Sequence, residues 1–134
     1  ILGDGQNLTS LTHVQHLLDL LVLLIQSPTQ QTGTIWNISD GPPVPLWELF
    51  QQIAHRIGAP PIARQISQAK AHRIAHLLEL AGQLAGREPS LTRYTVDLLS
   101  NTQTLDISKA QLLGFKPRFS SLQGVMETVQ QAHI

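Results

Sequence analysis

Helical periodicity dominates this chain, and it outweighs every strand signal. Between the Gly and Pro breaks, apolar residues recur at three- and four-residue spacing in five or six segments. Only two or three short runs read as strands, and no two of them are joined by a hairpin turn. So few strands form no stable sheet unless helices or a larger sheet cover them. The fold class expected is therefore α/β and helix-rich, a partial architecture rather than a complete parallel sheet.

Local signals place the segments. Residues 1–7 are Gly-rich and polar, a loop, and Leu8 to Leu11 is a short extended piece. Thr12 has Gln15 three residues on, capping-box spacing, ahead of a helix from His13 to Gln26 that Ser27-Pro28 ends. That helix is apolar nearly all round, which predicts burial on more than one side. Thr34 to Ile38 reads as a strand, followed by the turn Ser39-Asp40-Gly41-Pro42-Pro43. Pro45 opens a helix whose Leu46, Leu49, Phe50, Ile53 and Ile57 share a face, with Gly58 as its C-terminal cap. Residues 59–66 are extended or irregular.

Ser67 caps a helix to about Ala85, with Ala71, Ile74, Leu77, Leu78, Ala81 and Leu84 as its expected core stripe and Gly86 as its end. Ser90 caps a shorter helix with Leu91, Tyr94, Thr95, Leu98 and Leu99 on one side. Gln103 to Leu105 is a short strand, and Asp106 caps a helix that stops at Gly114. Ser120 and Gln123 repeat the capping-box spacing before the last helix.

Composition narrows the functions. Nine basic residues balance nine acidic ones, so no electrostatic case exists for nucleic acid. There is no Cys, which excludes disulfides and thiolate metal sites and fits a cytoplasmic location. Leu20 to Ile25 is far shorter than the roughly 20 residues a membrane span needs. Only 13% of residues are charged while 42% are hydrophobic, as expected of a surface partly covered by another domain. The start at Ile1 rather than Met reads as a fragment, a processed chain or a trimmed one.

The catalytic motifs expected of a cofactor enzyme are missing. Gly3-Asp4-Gly5 is not a dinucleotide fingerprint: Leu8 stands where its last glycine would be, and Asp4 would repel a pyrophosphate. Walker A, Gly-x-Ser-x-Gly and Tyr-x-x-x-Lys patterns do not occur, since Tyr94 is the single Tyr and Leu98 follows it by four. His13 and His16 have a spacing that could hold a metal from one helix face, yet they read better as an ordinary helical turn. His72 and His76 lack the Glu of a zinc protease, with Arg73 in its place, and read as a solvated face. No metal is expected. Arg87, Arg93, Arg118 and Lys116 offer fork geometry for a carboxylate or phosphate, or plain surface charge. Trp36 and Trp47 are expected in the core.

Four stretches are familiar together: GDGQN with THV (residues 3–7 and 12–14), GTIWNISDGPPVPLWELFQQIAHRIG (33–58), REPSLTRYTVDLLS (87–100) and LDISKAQLLGFKPR (105–118). They resemble the C-terminal half of extended short-chain dehydrogenases, and REPSLTRYTVDLLS points to the 3β-hydroxysteroid and sterol-carboxylate branch. That resemblance implies a Rossmann-type fold of which residues 1–134 form the C-terminal substrate-binding domain. It implies an N-terminal cofactor domain of the same protein, binding NAD or NADP and carrying the Ser/Thr, Tyr and Lys catalytic set. This chain alone would then hold no catalytic residue and no cofactor. The whole protein would oxidise or reduce a small hydroxysteroid-like, β-hydroxy or β-keto acid substrate, with a homodimer as one possible assembly.

Residues placed by the resemblance to face the cleft are Asn7, Ser10, His13, Arg93 and Tyr94. Nucleotide-sugar epimerases of the superfamily carry Arg-Asp where Thr9 and Ser10 stand, which counts against a nucleotide-sugar substrate. A non-catalytic binding module of the same fold is the further alternative. His16 stands where the family often has Asp or Asn.

Overall fold

The computed structural model describes residues 1–27 and 33–132. They form six helices, with a minimal two-stranded sheet. The helices are α1 (Val14–Gln26), α2 (Leu46–Arg56), α3 (Gln68–Ala85), α4 (Arg93–Ser100), α5 (Ser108–Leu112) and α6 (Ser121–Gln131). The strands β1 (Leu8–Thr9) and β2 (Val44–Pro45) have two residues each. Pro28, expected to help end α1, lies outside the described residues. The chain divides into two compact units, Ile1–Leu8 with Pro45–Gln103, and Thr9–Val44 with Thr104–Ile134.

The first unit holds α2, α3 and α4. Its amino-terminal segment bridges Ile66 in parallel through Leu2, with Gly3 N–H donating to the Ile66 carbonyl at 3.0 Å. Ala71, Ala75 and Val96 are fully buried, and Leu2, Ile66 and Leu91 close over them. Small residues set the α3–α4 approach. A Cβ on Gly82 would sit 2.7 Å from the Arg87 carbonyl, so the loop after α3 folds back only because Gly82 is bare. Pro45 is the N-cap of α2, and Gly58 follows its end at φ +70, the left-handed conformation expected there.

The core stripe expected on α3 is corrected by this packing. Ile74, Leu77 and Leu84 are exposed, and the inward side is Ala71, Ala75, Leu78 and Gly82. Periodicity identified an apolar stripe, but α4 takes the neighbouring face of small residues, where the two backbones can come close.

The second unit holds α1, α5 and α6 around Leu20, Ala110 and Phe115, with Leu23, Leu24, Trp36, Ile38 and Leu113 packed on them. Phe115 is the anchor after the helix-ending Gly114, at φ +104. Burial of α1 on several sides does not occur: only His16 and Leu20 are buried, while Val14, Leu17, Leu18, Leu21, Val22 and Ile25 are exposed. The neighbours in this unit cover one side alone. Residues 34–38 are not a strand, because no other described segment pairs with them; Trp36 and Ile38 serve as packing residues instead.

Caps differ by one or two residues from the sequence expectation. His13 rather than Thr12 is the N-cap of α1, its ring accepting from Gln15 N–H, while the Thr12 hydroxyl donates to the Ile38 carbonyl. Thr92, not Ser90, caps α4 by accepting from Thr95 N–H. Asp106 does accept the first-turn N–H of α5, from Ser108 at 2.9 Å, although Ile107 holds the N-cap position. That N–H, then the Ser108 hydroxyl, holds the Asp106 carboxyl below its ordinary value. The capping box of α6 forms as spaced, Ser120 and Gln123 each satisfying the other's backbone N–H.

Candidate functional site

In the second unit the start of α1, the turn at Asp40 and α6 line an open pocket of about 220 Å³. Leu11, Val125 and Val129 give it apolar walls, and Thr12, His13, Asp40 and Thr128 supply polar atoms. Two features of the sequence make it. Gly124 lets α6 approach, since a Cβ there would lie 3.0 Å from the Phe119 ring and 3.3 Å from the His13 ring. Asp40 fixes the helix start: its Oδ1 accepts the His13 N–H and the His16 Nδ1, each at 2.7 Å.

Hydrogen placement on both histidines follows from backbone donors. The Arg118 N–H reaches His16 Nε2 at 2.9 Å, and an amide can only donate, so Nε2 accepts and Nδ1 carries the hydrogen given to Asp40. His16 is fully buried and satisfied on both nitrogens. It lies 4.2 Å, centroid to centroid, from Phe119 and edge-on to Phe115. It is a core knot, not a metal ligand, and the described residues hold no group of three or more side chains able to bind a metal. His13 Nδ1 accepts from Gln15 N–H at 3.2 Å, which leaves Nε2 as its second polar atom. Its ring stands edge-on to Phe119 at 5.0 Å.

The five expected cleft residues divide between the units. Ser10 and His13 belong to the second, where Ser10 Oγ accepts the Leu105 N–H at 3.1 Å. Asn7, Arg93 and Tyr94 belong to the first. Asn7 is buried, with its Oδ1 unpartnered among the described residues. Arg93 opens α4 and is engaged by Glu79 of α3: one carboxylate oxygen accepts its backbone N–H at 2.7 Å, the other its Nε at 2.8 Å. The backbone donor first, and the guanidinium after it, hold the Glu79 carboxyl below its ordinary value. Tyr94 is 75% exposed. His72 bonds Asp97 across α3 and α4 at 3.0 Å.

Asp40, Gly124 and Phe119 were not singled out from the sequence as site residues. Asp40 read as turn punctuation, and its partners lie 24 and 27 residues away, beyond the reach of local spacing. The Gly-rich segment is spent internally. Gly3 N–H is bonded to Ile66, and a Cβ on Gly5 would lie 2.9 Å from Ile1 Cγ2. This loop folds against its own unit.

No protein-family model matches the chain. It is 29% identical over 141 residues to the 3beta-hydroxysteroid-dehydrogenase/decarboxylase isoform 1 of Arabidopsis thaliana, covering 96% of this chain and 32% of that protein. It is 29% identical over 131 residues to the 2-alkyl-3-oxoalkanoate reductase of Stenotrophomonas maltophilia, covering 93% and 40%. The decarboxylating sterol-4-alpha-carboxylate 3-dehydrogenase of Saccharomyces cerevisiae is 27% identical over 138 residues, covering 96% and 39%. The chain thus spans between a quarter and two fifths of the curated relatives it matches. The crystal structure of gox2253 has the same fold, at a TM-score of 0.61 and 21% identity over 92% of this chain and 37% of that one. Over nearly its whole length the chain is thus similar to one part of proteins named as dehydrogenases and reductases, short-chain dehydrogenases/reductases among them.

Proposed function

We propose that this chain is the substrate-side portion of an NAD(P)-dependent oxidoreductase acting on a hydroxysteroid-like or β-keto or β-hydroxy acid substrate. The observation that carries the proposal is the match of nearly the whole chain to one part of dehydrogenases and reductases with such substrates in their names. NAD(P) would be held by an N-terminal Rossmann domain, where it supplies hydride chemistry. The residues here bind and orient. Asn7, Ser10, His13, Arg93 and Tyr94 are proposed to face the substrate. Of these, His13 has a pocket beside it, with apolar walls for an alkyl or ring body and the Nε2 edge for an oxygen.

The outer face of α1 supports a covering domain. Six large apolar residues are exposed there, with no charge among them, a surface suited to burial against protein. Thr9 and Ser10 leave out the Arg-Asp pair of sugar-nucleotide enzymes, which favours a less anionic substrate.

The test is the longer protein, assayed at the nicotinamide absorbance band with a 2-alkyl-3-oxoalkanoate and with a sterol-4-carboxylate. Turnover of one class and a raised KM in His13→Ala are expected. Silence with both classes under either cofactor overturns the proposal.

A further inference from the structure

The pocket at the start of α1 is unevenly supplied with hydrogen-bonding groups. Its polar side chains are Thr12, His13, Asp40 and Thr128. Both hydroxyl hydrogens are already spent, that of Thr12 on the Ile38 carbonyl and that of Thr128 on the Gly124 carbonyl, each at 2.9 Å. The His13 ring accepts the Gln15 N–H at Nδ1, so its neutral form carries the hydrogen on Nε2. That is the one side-chain donor left. Asp40 is the opposite case. Its side chain is 3% exposed, and Oδ1 takes both the His13 N–H and the His16 Nδ1–H. Oδ2 accepts from none of the described residues. His16 gives Asp40 a hydrogen but no charge, because its Nε2 accepts the Arg118 N–H, and the Arg118 guanidinium is turned to Asp19. A buried carboxylate oxygen left without a donor is costly, and a ligand with a hydrogen to give relieves that cost.

We propose that this pocket holds its ligand by a hydroxyl group, which accepts from His13 Nε2–H and donates to Asp40 Oδ2. An alcohol both gives a hydrogen and receives one, so it satisfies the two groups together. A ketone can use His13 alone and leaves Asp40 unanswered. A carboxylate sets a second anion beside the first. An ammonium ion meets Asp40 but turns its hydrogens against the His13 N–H. Leu11, Val125 and Val129 hold the carbon body, so that apolar walls supply area and two polar atoms supply selection. The hydroxyl is a recognition group, and no bond of the ligand changes here. That the occupant is the substrate rests on the reading above; that it is held by a hydroxyl rests on the pocket alone.

The probes are cyclohexanol, cyclohexanone, cyclohexanecarboxylate and cyclohexylamine, which share a ring and differ in the polar group. They are titrated into nitrogen-15-labelled protein without nicotinamide nucleotide, so that binding is read apart from turnover, with the His13 ring nitrogens as the signal. Cyclohexanol is expected to bind about tenfold more tightly than cyclohexanone and to shift His13 Nε2. Asp40→Asn keeps a carbonyl oxygen for the two N–H groups and so places an NH2 group where Oδ2 stood. The ketone is then expected to draw level with the alcohol or pass it. If Asp40→Asn loses helical circular dichroism, Val129→Phe, which fills the pocket from α6, is expected to abolish alcohol binding. Equal affinity for alcohol and ketone, tighter binding of the acid or the amine, an unchanged order in Asp40→Asn, or full binding in Val129→Phe overturns the proposal. Turnover of a sterol or 3-oxo acid alongside any of these leaves the oxidoreductase reading standing, and alcohol preference without turnover leaves this one standing.

Discussion

Helices α1 and α3 both carry a row of exposed apolar residues, but they are built from opposite materials. On α1 the inward side is bulky, with His16, Leu20, Leu23 and Leu24 filling the space around Phe115. On α3 the inward side is alanine and glycine with the single Leu78, and Leu77, Leu80 and Leu84 point away. The outer face of α1 is uncharged, while that of α3 ends in two cations, Lys70 and Arg73. The contrast separates two properties that a hydrophobic pattern merges. Inward size sets how close a neighbouring helix comes, and outward composition sets what the remaining face can meet.

The largest expected effect tests the bulky side. Phe115→Ala should cost about 3–5 kcal/mol in chemical denaturation, because it empties the centre of the second unit. Leu77→Ala on the outer face of α3 should stay within about 0.5 kcal/mol. Equal costs would break the comparison. Asp40→Ala follows: it strands the His13 N–H and the His16 Nδ1–H, at about 1–3 kcal/mol for a buried donor. Ala75→Leu tests the small side from the other direction, with overpacking against α4 costing about 1–3 kcal/mol. A neutral Ala75→Leu would show that α3 and α4 are not held close. Ser120→Ala should cost about 1 kcal/mol through loss of the α6 capping box.

The smallest effect is one of pH. Glu79 is held below its ordinary value, chiefly by the Arg93 backbone N–H, so it binds protons less readily folded than unfolded. Its contribution is full above the ordinary glutamate range and is lost as pH falls through that range to the depressed value. The stability gap between the native chain and Glu79→Gln should therefore narrow in acid and be widest near neutrality, as thermal melts across pH would read. A gap that widens in acid would mean the carboxylate is not the braced form.

Much of this was legible from local spacing. The end of α3 at Gly86, the left-handed Gly58 after α2 and the Ser120–Gln123 box depend on residues within one turn of each other. So does the resemblance, carried by contiguous motifs. What was not legible depends on distant partners. Thr12 loses the cap of α1 because Ile38 takes its hydroxyl and Asp40 takes the next N–H. Residues 34–38 have strand composition but no strand beside them among the described residues. The stripe on α3 was read correctly as apolar and placed on the wrong side, since periodicity does not say which face has a neighbour. Of the expected site, His13 lines a pocket, whereas Arg93 is engaged by Glu79, a pairing 14 residues apart that no motif announced.

The interleaving of the two units has a consequence for how such a chain can vary. Seen from the second unit, the whole run 45–103 is one excursion between Val44 and Thr104. The knot of His16, Asp40 and Arg118 uses no residue from that run. Closing a longer excursion is cheap, about 0.6 kcal/mol for each doubling of its length. Residues 45–103, with α3 and its outer face, can therefore be lengthened, shortened or exchanged while the knot keeps its partners.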